Sequence, residues 1–224
     1  MIIAIDGPAA SGKSSTARAV ANTLGFHHVD SGALYRAVTA AQARREPTQS
    51  RWTENDVLAA AKQVSLDPVP GGFVPRIAGV RADDELRSPA VTAAVSRVAQ
   101  MPGVRAWVNA RVREVSTKRD IVVDGRDMGT AVFPAANLKI YLDAEPWERA
   151  RRRLIQRDGR VPTEEEILEE TSLLIARDQR DAAQSKPAAD AIHLDTTSLT
   201  QQEQVDRIVS LARKRAGAGR LVAT

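Results

Sequence analysis

The stretch that decides the fold is Met1–Asp6, MIIAID, followed by Gly7–Ser14, GPAASGKS. The second part fits the pattern G-x-x-x-x-G-K-[ST], whose glycines let backbone N–H groups turn inward around phosphate oxygens. The apolar run before it predicts a buried strand, and the residues after it show a helical pattern. This strand–loop–helix context is typical of a phosphate-binding loop. The residues expected to bind a nucleotide are Gly7, Pro8, Ala9, Ala10, Ser11, Gly12, Lys13, Ser14 and Ser15.

Two side chains of this loop carry specific expectations. Lys13 has the position from which an ammonium group reaches the β- and γ-phosphates, and Ser14 has the position of a Mg²⁺ ligand. The N-terminus of the following helix adds a positive dipole. We therefore expect a nucleoside triphosphate to bind here together with Mg²⁺.

The rest of the chain alternates between predicted strands and helices. Apolar runs that end at or near a polar residue predict buried parallel strands at Met1–Asp6, Phe26–Asp30, Ile121–Asp124, Leu138–Asp143 and Ala191–Asp195. Helical patterns lie at residues 13–24, 34–45, 102–118, 146–158, 164–182 and 199–215. Thr163 with Glu166, and Ser198 with Gln201, have the spacing of capping boxes. The alternation predicts a doubly wound α/β sheet in a single domain, 1–224.

Residues 64–87 interrupt the alternation. Prolines and glycines are frequent in their first half, and short β-like pieces surround Phe73–Val80. We predict a small β insertion at this place.

Composition excludes several classes of protein. The 224 residues are 43% hydrophobic and 27% charged, which is typical of a folded chain with a packed core. The absence of cysteine excludes disulfides and thiolate chemistry. No uncharged run approaches the roughly 20 residues that span a bilayer, and MIIAID does not have the basic start of a signal peptide. We expect a cytoplasmic protein that does not bind membranes.

The net charge of +4 is concentrated in one place. Residues 149–160 contain six arginines against a single aspartate, so the rest of the chain is close to neutral. Such a local cluster favours a small polyanion over a nucleic acid as the ligand. We predict that residues 149–164 form a lid that brings positive charge to a phosphoryl group and excludes water. Within it, Arg153 is the expected catalytic arginine and Arg157 the expected ATP-binding arginine.

Three classes of protein share the phosphate loop. A GTPase switch usually carries D-x-x-G, and no glycine of this chain has an aspartate three positions before it. The sequence Thr117–Asp120, TKRD, imitates a guanine-reading motif but precedes a predicted strand. Motor ATPases usually place a glutamate beside the magnesium-binding aspartate, whereas Asp124–Asp127 reads DGRD. A small-molecule kinase remains.

Two further segments follow predicted strands and favour that class. Asp30–Arg36, DSGALYR, follows the second predicted strand, and Asp124–Gly129, DGRDMG, follows the third. Ligands of open α/β sheets bind at the carboxyl ends of the strands. We therefore expect Arg36 and Arg126 to hold the phosphate of an acceptor in bidentate fashion.

Taken together, these residues resemble the bacterial type of cytidylate kinase. The similar segments are IDGPAASGKSS (5–15), DSGALYR (30–36), SPAVTAAVSRVAQMPGVR (88–105), IVVDGRDMGTAVFP (121–134), LKIYLDA (138–144) and RDQRD (177–181). They span nearly the whole chain, and the combination of DGRDMGTxVFP with DSGAxYR is highly specific. The resemblance implies a P-loop kinase fold with a five-stranded parallel core, a helical lid, and a nucleoside-monophosphate-binding insertion at residues 64–100.

The resemblance also implies a reaction and a set of site residues. The reaction is phosphorylation of CMP or dCMP by ATP with Mg²⁺, by a monomeric enzyme that does not bind nucleic acid, with Lys13 and Arg126 among the catalytic groups. A carboxylate at Asp127 accepts a hydrogen bond from the 4-amino group of cytosine, whereas uracil offers a second acceptor there. The residues implied in CMP binding are Ser31, Tyr35, Arg36, Ser96, Arg105, Asp124, Arg126, Asp127, Arg177 and Asp181.

One departure from the family pattern leaves alternatives open. Gln184 stands where the family has an arginine, and the loop at 182–187 is shortened, with Arg180 and Lys186 as candidate replacements. The departure allows a kinase that prefers another acceptor, such as UMP. The basic cluster allows a nucleotide-dependent regulatory protein without transfer activity.

Overall fold

The computed structural model describes residues 1–117 and 119–221, with side chains described as far as Gly217. The chain divides into two compact units. The first joins Met1–Phe26 to the chain from Ile121 onward, and the second is His27–Asp120. Our prediction of one domain with an insertion stays a prediction, because compactness alone does not define an independently folding domain.

The first unit is built on four parallel strands. They are β1 (Ile2–Asp6), β5 (Ile121–Gly125), β6 (Leu138–Asp143) and β7 (Ile192–Asp195), in the spatial order β5-β1-β6-β7. The register pairs Ile3 with both Val122 and Leu138, so β1 is hydrogen-bonded on both sides. The carboxyl ends of these strands therefore share one edge of the sheet, and that edge carries the phosphate loop.

Four helices complete this unit: α1 (Lys13–Leu24), α6 (Pro146–Asp158), α7 (Glu164–Asp181) and α8 (Gln201–Leu221). A core of buried aliphatic side chains joins β1 and β6 to α1 and α8, with Ile5, Val20 and Ile208 fully buried. Apolar residues on both faces of the central strands make the near-continuous runs that the sequence shows.

The second unit contains the strands β2 (His27–Asp30), β3 (Val64–Val69) and β4 (Gly72–Ile77) and the helices α2 (Ser31–Arg45), α3 (Glu54–Ala61), α4 (Pro89–Val98) and α5 (Pro102–Ser116). Strands β3 and β4 form an antiparallel hairpin, and β4 also pairs with β2 in parallel at His28 and Gly72. The predicted β insertion is this hairpin. Its assignment, with α4, to nucleotide binding stays a prediction.

Helix ends follow local side-chain chemistry. The capping box of Thr163 and Glu166 is confirmed at the start of α7. The predicted box of Ser198 and Gln201 is wrong, because Thr200 and Glu203 exchange the capping bonds at the start of α8. Helices α3 and α4 were not predicted, and both are short.

Within the described residues, no helix is both long enough and apolar enough to cross a bilayer.

Candidate active site

The phosphate loop, residues 7–14, depends on two glycines. A Cβ on Gly7 would lie 2.0 Å from the carbonyl oxygen of Leu142, so only glycine lets the loop pass this close to β6. Gly12 caps α1 in the left-handed conformation, with φ at 86°. Ala10 also has a positive φ, 58°, which is uncommon for a residue with a side chain. The loop is therefore bent in a way that its surroundings must support.

Lys13 lies inside the loop rather than above it. Its Nζ donates to the carbonyl oxygen of Pro8 at 2.5 Å and to Ser11 Oγ at 3.3 Å, and the residue is buried. Burial holds the pKa of the Lys13 ammonium well below its usual range, and the nearby positive charge of Arg126 lowers that pKa further. A phosphate anion at this place favours the charged form of the lysine.

Ser14 and Asp124 form an oxygen pair beside the loop. Ser14 Oγ donates to Asp124 Oδ2 at 2.5 Å, and Asp124, near the end of β5, is buried. A hydroxyl and a carboxylate are the ligand types that Mg²⁺ prefers. Because Asp124 contacts the loop serine, the arrangement favours a role at the metal over the implied role in binding CMP, which stays a prediction. Among the described residues, no group of three His, Cys, Asp or Glu side chains is placed to hold a metal ion.

Arg126 and Arg177 converge on one carboxylate. Arg126 Nε lies 3.6 Å and Arg177 Nε 3.7 Å from Asp181 Oδ2, distances longer than a hydrogen bond. Arg126 Nη1 donates to the carbonyl oxygen of Gly7 at 3.2 Å, which places this guanidinium at the start of the phosphate loop. Among the described residues, no hydrogen-bond partner reaches the buried Nε of Arg126. This arginine retains capacity to bind an anion.

Asp127 begins an irregular turn that Asp6 holds in place. The backbone oxygen of Asp127 accepts from Ala131 N at 2.8 Å, and residues 128–132 form one π-helical turn. The Asp6 carboxylate accepts from Met128 N at 2.8 Å and from Gly129 N at 2.7 Å. Burial raises the pKa of Asp6, although these two backbone hydrogen bonds oppose the rise. Asp6 was not among the predicted site residues, and the signal that could have found it is a charged residue that ends a buried strand immediately before the loop.

The arginines of the cluster at residues 149–160 pair with carboxylates of the first unit. Arg151 Nε and Arg152 Nε each lie 2.8 Å from the Glu148 carboxylate. Arg153, expected to be catalytic, lies 2.9 Å from Glu170. The remaining ion pairs of the cluster are Arg149–Asp178, Arg157–Asp158, Arg157–Glu170 and Arg160–Glu166. The roles of Arg153 and Arg157 on the nucleotide, and movement of residues 149–164 as a lid, stay predictions.

The second unit brings three of its predicted residues to one helix. Arg36 Nη1 donates to Thr92 Oγ1 at 3.0 Å, and Ser96 lies one turn further along α4. Arg105 Nη1 donates at 3.1 Å to the carbonyl oxygen of Ala99, the residue that caps α4. Ser31 and Tyr35 are buried in the first half of α2, which Asp30 caps. Their contact with CMP stays a prediction.

Comparison with known proteins gives a consistent result. The family described as Cytidylate kinase matches residues 3–214. A cytidylate kinase of Thermus thermophilus is 44% identical over 220 residues, covering 95% of this chain and 99% of that protein. A cytidylate kinase of Thermotoga sp. is 40% identical over 219 residues, covering 95% and 97%. A solved structure of an uncharacterized protein from Eubacterium ventriosum shares the fold, with a TM-score of 0.50 at 11% identity over 94% of this chain and 97% of that one. The chain belongs to the cytidylate kinase family.

Proposed function

We propose that this protein transfers the γ-phosphoryl group of ATP to CMP or dCMP, giving ADP and CDP or dCDP. The observation that carries the proposal is the position of Arg126, whose guanidinium donates to Gly7 at the start of the phosphate loop and whose buried Nε has no hydrogen-bond partner among the described residues. A fixed guanidinium beside a phosphate loop suits a reaction between two phosphate groups.

We expect Mg²⁺ to accompany ATP. Ser14 and Asp124, which are hydrogen-bonded to each other, would supply oxygen ligands on the protein side, and the phosphates would supply others. When bound, the ion neutralises charge that develops on the β- and γ-phosphates. Asp124 then acts on the ion either directly or by orienting the Ser14 hydroxyl.

The transfer requires alignment rather than a base. The second pKa of a phosphate monoester is about 6, so the CMP phosphate is mostly dianionic at neutral pH. One of its oxygens forms the bond to the γ-phosphorus while the bond from that phosphorus to the β–γ bridging oxygen breaks, and ADP leaves with the electron pair. Lys13 stabilises the charge on the transferred group, and Arg126 holds the acceptor phosphate in line.

Asp127 is the proposed reader of the base. A carboxylate accepts from the 4-amino group of cytosine but meets a carbonyl in uracil, and unpaired polar groups discriminate strongly. Asp127 is buried, and the turn that follows it is anchored by Asp6. In the variant Asp127→Asn we expect the preference for CMP over UMP, measured as a ratio of kcat/KM, to fall by about tenfold or more. An unchanged ratio would assign base recognition to other residues.

The direct test is ADP release from MgATP with separate acceptors: CMP, dCMP, UMP, AMP and water. Rapid release with CMP or dCMP and little with the others is the expected result. Comparable rates with UMP would keep the reaction type and trace the altered specificity to Gln184 and the shortened loop. No release with any acceptor would contradict the proposal and leave a nucleotide-dependent regulatory protein.

A further inference from the structure

One arginine of the α6 cluster differs from the others in what it contacts. Arg149 is 4% exposed, and its Nη1 donates to the carbonyl oxygen of Ala9, the third residue of the phosphate loop, at 2.8 Å. Its Nε donates to the carbonyl oxygen of Ala144 at 2.9 Å. The other arginines of the cluster pair with carboxylates of α6 and α7. Arg149 therefore links α6 to the loop itself.

Asp178 completes the link from α7. Its Oδ1 accepts from Ala9 N at 3.0 Å, and its Oδ2 lies 2.6 Å from Arg149 Nη1. Both polar groups of the Ala9 backbone are thus held by side chains, and those side chains hold each other. Ala9 also packs against Ala150 of α6 and Leu174 of α7.

The residue after Ala9 shows why such support is needed. Ala10 has a left-handed φ of 58°, a conformation that is unfavourable for a residue with a Cβ. Strained backbone persists only where its surroundings determine it. Because the N–H and the carbonyl oxygen of Ala9 are both held, the peptide groups before and after Ala9 are fixed. This orients the following peptide groups, which must turn toward phosphate.

We propose that Arg149 and Asp178 are positioning residues of the phosphate loop: together they fix the Ala9 peptide, set the curvature of residues 7–14 for the nucleotide phosphates, and tie the α6 and α7 helices to the loop. This inference rests on the proposed function only in assigning ATP as the ligand of the loop. Neither residue touches the reacting atoms, and both act through Ala9.

The test measures MgADP binding by titration calorimetry on the full chain, followed by steady-state kinetics. We expect Asp178→Ala and Arg149→Lys each to weaken MgADP binding by about 10- to 100-fold, since small displacements of a binding group have effects of this size. The KM for CMP should change by less than about threefold. The double variant should bind scarcely more weakly than either single variant, because the two residues act as one unit.

Arg152→Lys is the matched control. Arg152 lies on the same helix and pairs with buried Glu148, but its other bonds go to the Thr196 hydroxyl and to the carbonyl oxygens of Thr196 and Thr197. We expect Arg152→Lys to bind MgADP with the affinity of the wild type. The thermal stability of both proteins is measured alongside, so that binding is compared between folded proteins. Asp178→Glu, which keeps the carboxylate, should recover part of the affinity that Asp178→Ala loses and serves where the alanine variant does not fold.

Two results would overturn the inference. The first is that the Arg149→Lys protein and the Asp178→Ala or Asp178→Glu protein are folded and bind MgADP within twofold of wild type. The second is that Arg152→Lys loses as much MgADP affinity as these variants do. A different result would contradict the proposed reaction. A wild-type protein that binds MgADP but does not phosphorylate CMP would refute the proposed reaction, while a loss of MgADP binding in the variants would still support the positioning role.

Discussion

Two groups of arginines in the first unit differ in their distances to carboxylates. Arg126 and Arg177 are far apart in sequence, yet both approach a single carboxylate, that of Asp181, at distances beyond hydrogen bonding. The arginines of α6 are crowded in sequence, yet each lies close to a carboxylate of the same unit; examples are Arg149 and Asp178 at 2.6 Å and Arg153 and Glu170 at 2.9 Å.

The difference shows that a run of arginines along a chain does not by itself leave guanidinium groups without carboxylate partners. A run of arginines on one helix becomes paired when acidic side chains of the same helix and of a neighbouring helix lie opposite to it, as Glu148 of α6 and Glu170 and Asp178 of α7 do. An arginine at the carboxyl end of a parallel strand has fewer such partners and faces the position where ligands bind. We therefore propose that phosphate chemistry takes place at the end of β5 and in the loop after β1.

The largest effect should come from the buried cation of the loop. Lys13→Ala removes the ammonium group that is placed among the loop carbonyls, and kcat should fall by about a thousandfold, the scale of losing a fixed cation in phosphoryl transfer. Circular dichroism should show a folded protein, since alanine is a good helix former at this first position of α1. A folded variant with near-wild-type turnover would contradict the assignment of Lys13.

The next effect separates the two arginine groups directly. Arg126→Lys keeps the charge but loses the planar pair of donors, and kcat/KM for CMP should fall by about a hundredfold. Arg151→Lys is the control from the crowded group, and its kcat/KM should stay within about threefold of wild type, because the Arg151 side chain is 42% exposed and lysine keeps its positive charge beside Glu148. Equal losses in both variants would remove the distinction between the groups.

A smaller effect concerns stability. Glu170 is buried and pairs with both Arg153 and Arg157, so Glu170→Gln should lower the free energy of unfolding by about 1 kcal/mol. Urea unfolding measures the change, with its exposed neighbour Glu169→Gln as the control. The KM for ATP should not rise, because the substitution frees arginines rather than removing them. A clear rise in that KM would show that Glu170 itself supports the nucleotide site.

The smallest effect is a titration. Hydrogen bonds from the Arg160 guanidinium, and then from Thr163 N, lower the pKa of Glu166 from 4.5 to about 2. A carboxylate whose pKa is lower in the folded state stabilises the fold above pH 4.5, and this contribution disappears as the pH falls toward 2. Carbon NMR of the Glu166 carboxyl group should therefore show a midpoint near 2 rather than 4.5. A midpoint at the ordinary value would mean that the pair with Arg160 does not persist in solution.

Much of the fold follows from local pattern. The five predicted strands and the six predicted helices are all present in the described residues. The strands were predictable because Ile- and Val-rich runs bounded by aspartates favour a buried strand over other local structures. The capping box at the start of α8 was misplaced because three hydroxyl residues, Thr197, Ser198 and Thr200, compete for the position within four residues. Spacing alone does not choose among them.

The site was predictable where a residue belongs to a motif and not where its role depends on tertiary contacts. The positions of Lys13 and Ser14 follow from the loop pattern, and that of Arg126 from the end of its strand. No local signal indicates that Arg149 reaches Ala9, or that Asp178 meets it from another helix. Likewise, the pairing of Arg153 with Glu170 depends on how α6 packs against α7.

The most direct measurement of the central claim follows the phosphoryl group itself. ATP labelled at the γ-phosphate is incubated with CMP and Mg²⁺, and the products are separated for the wild type and for Lys13→Ala. We expect the label to appear in CDP with the wild type, and almost no label to be transferred by Lys13→Ala. Label recovered only as inorganic phosphate, or transferred equally well without Lys13, would contradict this expectation.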